Sequence, residues 1–128
     1  MWYKMSFFEG SSRVPQMISS PHWNPKAVST PVSTLVVLPT LCELAGADLG
    51  ADAAWLDGEN LVPLVLGLGG RSAVAMEYAA EGSIGPMASL RDGPWKAICP
   101  PDPPQLFNLE LDPYELENLA ARTDHAAV

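Results

Sequence analysis

The apolar periodicity of this chain shifts from helical to strand-like near residue 70, and that shift restricts its fold more than any other feature. Upstream, Leu35, Val37, Leu38, Leu41, Leu44 and Ala45 recur at helical spacing, which predicts a helix over residues 33–45. Ser33 is its candidate N-cap and Gly46 its stop, since a serine hydroxyl satisfies a free first-turn amide and glycine ends helices readily. Pro39 lies inside the pattern, removes one backbone donor, and should kink or delay the helix. A second short helix is predicted over residues 60–66, where Pro63 falls in the first turn and the glycines at 67–70 close it. Downstream, residues 72–79, 87–91, 95–98 and 105–109 are short runs bounded by Gly, Pro or Asp, the pattern of a small antiparallel sheet. Asp92-Gly93 is the strongest hairpin turn of the set. Residues 13–19 read as one buried strand, and Asp112-Pro113-Tyr114-Glu115 as the start of a terminal helix. Trp95, Phe107, Tyr114 and Leu119 read as core residues of the small sheet. Taken alone, the elements spell an α+β chain.

Composition narrows the partners. The formal charge of −8, from 15 acidic against 7 basic side chains, argues against nucleic acid, whose binding depends on neutralising phosphates. No basic amphipathic stretch favours a membrane surface. The apolar runs at 35–38 and 61–68 are interrupted and fall short of the ~20 residues a membrane span needs. Met1-Trp2-Tyr3-Lys4 lacks the order of a signal peptide, and Cys42 and Cys99 form no disulfide framework, so a reduced, cytoplasmic protein is expected. The 48% apolar share is ample for a core, and seven of the thirteen prolines bunch at 21–31 and 100–104 as irregular connections.

Candidate chemistry concentrates at the front. Lys4-Met5-Ser6-Phe7-Phe8-Glu9-Gly10-Ser11-Ser12-Arg13-Val14-Pro15 places a cation on a loop that leads into the apolar run, an arrangement suited to an anion. Glu9 and Arg13 could pair across the intervening turn and hold the loop. This stretch resembles the sulfatase family, whose members carry a Lys, a short spacer, an aromatic-Glu-Gly turn and Arg-Val-Pro. Three further stretches are similar to that family in the same order: residues 30–46, with Pro39-Thr40-Leu41 and Leu44-Ala45-Gly46; Asp57-Gly58-Glu59-Asn60-Leu61-Val62-Pro63-Leu64; and Arg91-Asp92-Gly93-Pro94-Trp95-Lys96 followed by residues 105–120. Within the family, residues 2–9 and 76–82 are most similar to choline-sulfatases. Val36 stands where the family usually has Asp, and Asn60 where it often has Ser, which puts a helix-start contact and a cap in doubt.

The resemblance implies an α/β, alkaline-phosphatase-like sulfatase fold, of which this chain would be the C-terminal portion only. Residues 1–70 would then be the end of the catalytic α/β domain, with one strand in its large sheet, and residues 71–128 a small antiparallel sheet plus helix. It implies that Lys4 binds the sulfate of the substrate. It also implies a formylglycine nucleophile within Cys-x-Pro-x-Arg and a calcium-type divalent cation, both held by residues upstream of this segment. Cys99-Pro100-Pro101-Asp102-Pro103 lacks the arginine of that motif. Asp48, Asp52, Asp57 and Glu59 form a loose acidic loop, and His22 and His125 stand far apart, so neither set makes a ligand group.

Glu81 and Tyr78, in Met76-Glu77-Tyr78-Ala79-Ala80-Glu81-Gly82, are the candidates for a quaternary ammonium, which prefers a carboxylate beside an aromatic face. Glu77 could instead pair with Arg91. The expected partners are an N-terminal sulfatase catalytic part and a small-molecule sulfate ester, with room for a homo-oligomer. Two alternatives stand beside sulfate-ester hydrolysis: a non-catalytic binding or assembly module, and a relative acting on phosphonates or phosphodiesters.

Overall fold

The structure, a computed structural model, describes residues 6–21, 23–71, 73–79, 85–99 and 103–122. They gather into two compact units: Ser20–Val74, and the described residues of Met1–Ser19 together with those of Ala75–Val128. The sequence boundary near residue 70 lies close to the end of the first unit, whereas the N-terminal stretch clusters with the sheet.

In the Ser20–Val74 unit, a 3-10 turn at Thr34–Val36 leads into α2 (Val37–Ala45). The Ser33 hydroxyl accepts the Leu35 N–H at 3.3 Å, and Gly46 ends α2 in the left-handed conformation at φ 65°. Pro39 is met in the first α-turn, where its missing N–H removes no helical bond, so the α-helix is delayed rather than kinked. The side of α2 that packs is not the one its leucines mark. Val36, Pro39 and Thr40 are buried, while Leu35, Leu38 and Leu41 stay 56%, 53% and 51% exposed.

Thr40 sets that orientation. Its hydroxyl donates to the Val36 carbonyl at 2.6 Å and accepts the Leu61 N–H at 2.8 Å, tying α2 to the start of α3 (Val62–Leu66). Asn60 forms a turn just ahead of α3, its side-chain oxygen accepting the Val62 N–H at 3.0 Å, while Leu61 is the N-cap, and Gly67 closes α3 at φ 79°. At Gly58 a side chain is excluded by close approach: a Cβ there would run into the Leu35 carbonyl.

The second unit is built on one sheet of β1 (Val74–Tyr78), β2 (Met87–Asp92), β3 (Trp95–Cys99) and β4 (Gln105–Asn108), in that spatial order. β2 pairs antiparallel with β3, and β3 with β4. The hairpin turn is Gly93-Pro94, one residue beyond the position expected, because Asp92 is still paired with Trp95; Gly93 takes φ 53°. A single-turn helix, α1 (Glu9–Ser12), adjoins the sheet, with Phe7 packed into a core with Ile98 and Phe107. Phe8 meets Phe107 edge to face at 5.9 Å between ring centroids.

Two expected elements are absent among the described residues. Residues 13–19 form no strand, and Val14 and Met17 are 65% and 91% exposed, since no neighbouring strand pairs with them. Residues 112–122 form turns, not a helix, and Tyr114 points outward at 82% exposure rather than joining the core. The cause is local competition for backbone amides. Asn108 Oδ1 accepts from Glu110 and Leu111, Asp112 Oδ2 accepts from Glu117, and Glu115 adopts a left-handed φ of 56° that no α-helix accommodates. Among the described residues no helix is long and apolar enough to cross a membrane.

Thr40→Val keeps the shape of the side chain but strands the Leu61 amide. Chemical denaturation should show a loss of about 1–3 kcal/mol, and Thr40→Ser should recover most of it.

Candidate functional site

The alternation of β3 turns Lys96 and Ile98 to the same, covered side of the sheet, so a lysine occupies a position that would ordinarily be apolar. Its side chain is fully buried, at 0% exposure. Burial of an ammonium is tolerated only when opposite charge and hydrogen bonds replace its water. Here two segments remote in sequence supply them. Glu9, the first residue of α1, places Oε1 3.0 Å from Lys96 Nζ. Glu115, from the turn-rich C-terminal segment, places Oε1 2.9 Å from the same nitrogen, an ion pair without an aligned hydrogen bond. The Ser12 hydroxyl lies 3.4 Å away and accepts from the ammonium, while donating to the carbonyls of Phe7 and Phe8.

Arg91 completes the cluster. It is the cross-strand partner of Lys96, and its Nη1 donates to Glu9 Oε2 at 3.1 Å. Glu9 therefore pairs with Lys96 and Arg91, not with Arg13 across the turn, and Arg91 is taken by Glu9 rather than Glu77. The reason is geometric: α1 directs the Glu9 carboxylate onto the sheet, where two cations already stand side by side. Their mutual repulsion is relieved by the two carboxylates, leaving a cluster of balanced charge.

Glu115 serves the loop in a second way. Its Oε2 accepts the Glu9 backbone N–H at 2.6 Å, so one carboxylate holds both the Lys96 ammonium and the main chain at the start of α1. That N–H is one of the donors a helix start leaves without an intrahelical partner. The left-handed backbone of Glu115 turns the side chain inward, at a conformational cost of about 1–2 kcal/mol that the ion pairs offset.

The same C-terminal segment protects the sheet edge. Asn118 Oδ1 accepts the Leu106 N–H at 3.0 Å, and the Leu119 N–H donates to the Leu106 carbonyl at 2.9 Å, covering β4 where an open edge would invite foreign strands.

Of the residues singled out from sequence, Lys4 and Glu81 lie outside the described residues. Tyr78 ends β1, half-buried, packed against the Phe7, Ile98 and Phe107 cluster. Glu59 pairs on the surface with Arg71 at 2.8 Å, and Asp48 accepts the Gly50 N–H at 2.8 Å. Among the described residues no three His, Cys, Asp or Glu side chains come together as a metal site. Lys96, Glu115 and Arg91 were not expected as a group. The pleat of β3 flags Lys96, but nothing in the local sequence joins it to Glu115.

A choline-sulfatase of Rhizobium meliloti (strain 1021) is 52% identical to this chain over 121 residues, 94% of this chain and 24% of that protein. An arylsulfatase K of Danio rerio is 38% identical over 132 residues, 94% of this chain and 25% of that protein. Among solved structures, a 2-O GAG sulfatase superposes with a TM-score of 0.57 at 27% identity, over 70% of this chain and 20% of that one. No family model matches. The chain spans about a quarter of the length of the curated relatives it matches.

Replacing Lys96 with Met would leave Glu9 and Glu115 facing each other without their shared cation. Denaturant unfolding should show a loss of about 3–5 kcal/mol. A stability unchanged within 1 kcal/mol, to order of magnitude, would mean the cluster is dispensable to the fold.

Proposed function

From its membership of the sulfatase family, whose C-terminal part it matches, we propose that this chain is the C-terminal segment of a sulfuric ester hydrolase acting on choline O-sulfate. The fold is the C-terminal portion of the alkaline-phosphatase-like sulfatase fold. The observation that carries the substrate reading is the 52% identity to a choline-sulfatase, sustained over 94% of the chain.

In this reading Lys4 meets the sulfate. As the S–O bond breaks, negative charge builds on the sulfate oxygens and the leaving oxygen, and a fixed cation stabilises that charge more than it stabilises the ground state. The role of the segment 6–12 is to hold the chain that carries Lys4. Glu81 and Tyr78 would receive the quaternary ammonium, through charge and cation–π attraction.

A divalent cation in this family supplies Lewis-acid polarisation of the ester. The described residues do not fit it, since hard cations take several oxygen ligands together and no such group forms here. Metal ligands and nucleophile would come from an N-terminal catalytic part, which is the partner this segment requires, and the isolated chain would be inactive.

The test is a chimera in which this chain replaces the matching quarter of the Rhizobium meliloti choline-sulfatase. The chimera should hydrolyse choline O-sulfate, the chain alone should not, and Lys4→Ala in the chimera should lower kcat/KM by about 100-fold or more. Turnover by the isolated chain would contradict the dependence on an N-terminal part. A chimera indifferent to Lys4→Ala would favour the binding or assembly module instead.

A further inference from the structure

The Ser20–Val74 unit carries most of its large apolar side chains on the outside. Val36 is its only buried hydrophobic residue among those described, beside Pro39 and Thr40, whereas the other unit encloses Phe7, Ile98 and Phe107. Leu35, Leu38 and Leu41 are each more than half exposed, and Val37 and Ala45 are exposed as well. At three- and four-residue spacing Leu38, Leu41 and Ala45 fall on one side of α2, with Leu35 three residues before them. We propose that this face is a docking surface for the N-terminal catalytic part of a sulfatase chain, which covers it with apolar side chains of its own. The inference rests on the reading above that this chain is the C-terminal segment of a longer hydrolase.

Three observations select that occupant. First, the unit lacks a sufficient core of its own. Ordering a chain costs conformational entropy at every residue, and one buried aliphatic side chain with half-buried neighbours does not offset that cost. The face is nevertheless held in a defined orientation. Thr40 donates to the Val36 carbonyl and accepts from the Leu61 N–H, Gly46 closes the helix, and Gly58 lies against the Leu35 main chain. The side of α2 that bears Val36 and Thr40 is thus used within the unit, and the side that bears the leucines is left for another surface.

Second, the face carries no charge. Glu43 is the one charged residue between Ser33 and Ala45, and two positions beyond Leu41 it stands on the opposite side of the helix. A membrane surface would call for Lys or Arg flanking the apolar stripe, and α2 has neither. Third, the relatives supply the cover. The match with the Rhizobium meliloti choline-sulfatase takes in 94% of this chain but only the C-terminal 24% of that protein, so there the same stretch is joined to the larger part of the molecule. Covalent attachment gives that part an effective concentration that a second copy lacks.

Hydroxyl-radical footprinting read by peptide mass spectrometry reports the exposure of individual leucines. The sample is the choline-sulfatase chimera, folded and in urea, next to the isolated chain. Leu35, Leu38 and Leu41 should be oxidised at least about fivefold more slowly in the folded chimera than in urea, as befits side chains at the core of an interface. Equal oxidation in both would overturn the docking surface. So would equal protection in an isolated chain that sediments as a dimer, since a second copy would then be the occupant.

Leu38→Glu is the independent check. It should lower the melting temperature of the chimera by several degrees while Leu38→Met does not, because the first buries a charge and the second keeps an apolar side chain of similar size. Melting indifferent to Leu38→Glu, or a chimera whose two parts melt separately, would refute the docking surface too. Turnover of choline O-sulfate is scored on the same sample. An active chimera with a freely oxidised face removes the docking surface and keeps the sulfatase reading, and a protected face without turnover does the reverse.

Discussion

A lysine ammonium with no exposed surface has to be neutralised from within the protein, and the neutralising groups cannot come from its own strand. Lys96 therefore recruits Glu9 from the front of the chain and Glu115 from near its end, at 3.0 and 2.9 Å. The ion pairs are long-range in sequence and short-range in space, which makes them a statement of topology. They require α1 to lie on β3 and the C-terminal turns to come back beside α1. The small apolar core of Phe7, Ile98 and Phe107 lies in the same unit and supplies the dry surroundings in which such pairs hold.

That requirement explains the form of the C-terminal segment. A helix starting at Asp112 would satisfy local propensity. A continuous helix would forbid the left-handed Glu115 that sends its carboxylate to Lys96, and would withdraw Asn118 from the edge of β4. Side-chain carboxylates and amides instead cap the turns one by one, so Asn108, Asp112 and Asn118 replace a helical hydrogen-bond ladder. Tertiary contacts override local preference here because the alternative is an unpaired buried charge, which costs more than a helical turn is worth.

The short strands and the two helices before them were legible from the period of apolar residues and from Gly and Pro punctuation, since those features act within a few residues of each other. Ser33, Gly46 and Gly67 stop or start helices where their chemistry indicates. What could not be read locally was which side of α2 packs. The leucines mark one face, yet Thr40 selects another through a hydrogen bond to Leu61, 21 residues on. The partner of Glu9 was misassigned for the same reason: Arg13 is near in sequence, but Arg91 and Lys96 are near in space. Likewise, the expected strand at 13–19 was an apolar pattern that no strand among the described residues pairs with. The family motifs were legible as strings, and their residues turn out to be contact points, with Glu9, Lys96, Glu115 and Asn118 each joining segments remote in sequence.

The contact between the two ends of the described chain passes through one backbone amide, the Glu9 N–H. If a buried carboxylate holds the Glu9 N–H as the 2.6 Å contact indicates, residues 7–9 are as fixed as the sheet beside them. Amide hydrogen exchange resolved to single residues measures this directly. The Glu9 amide should exchange as slowly as the amides of Trp95–Cys99 on the central strand β3. Exchange at the rate of an exposed loop, such as that around Met17, would mean that α1 is not anchored and that the ion cluster does not organise it.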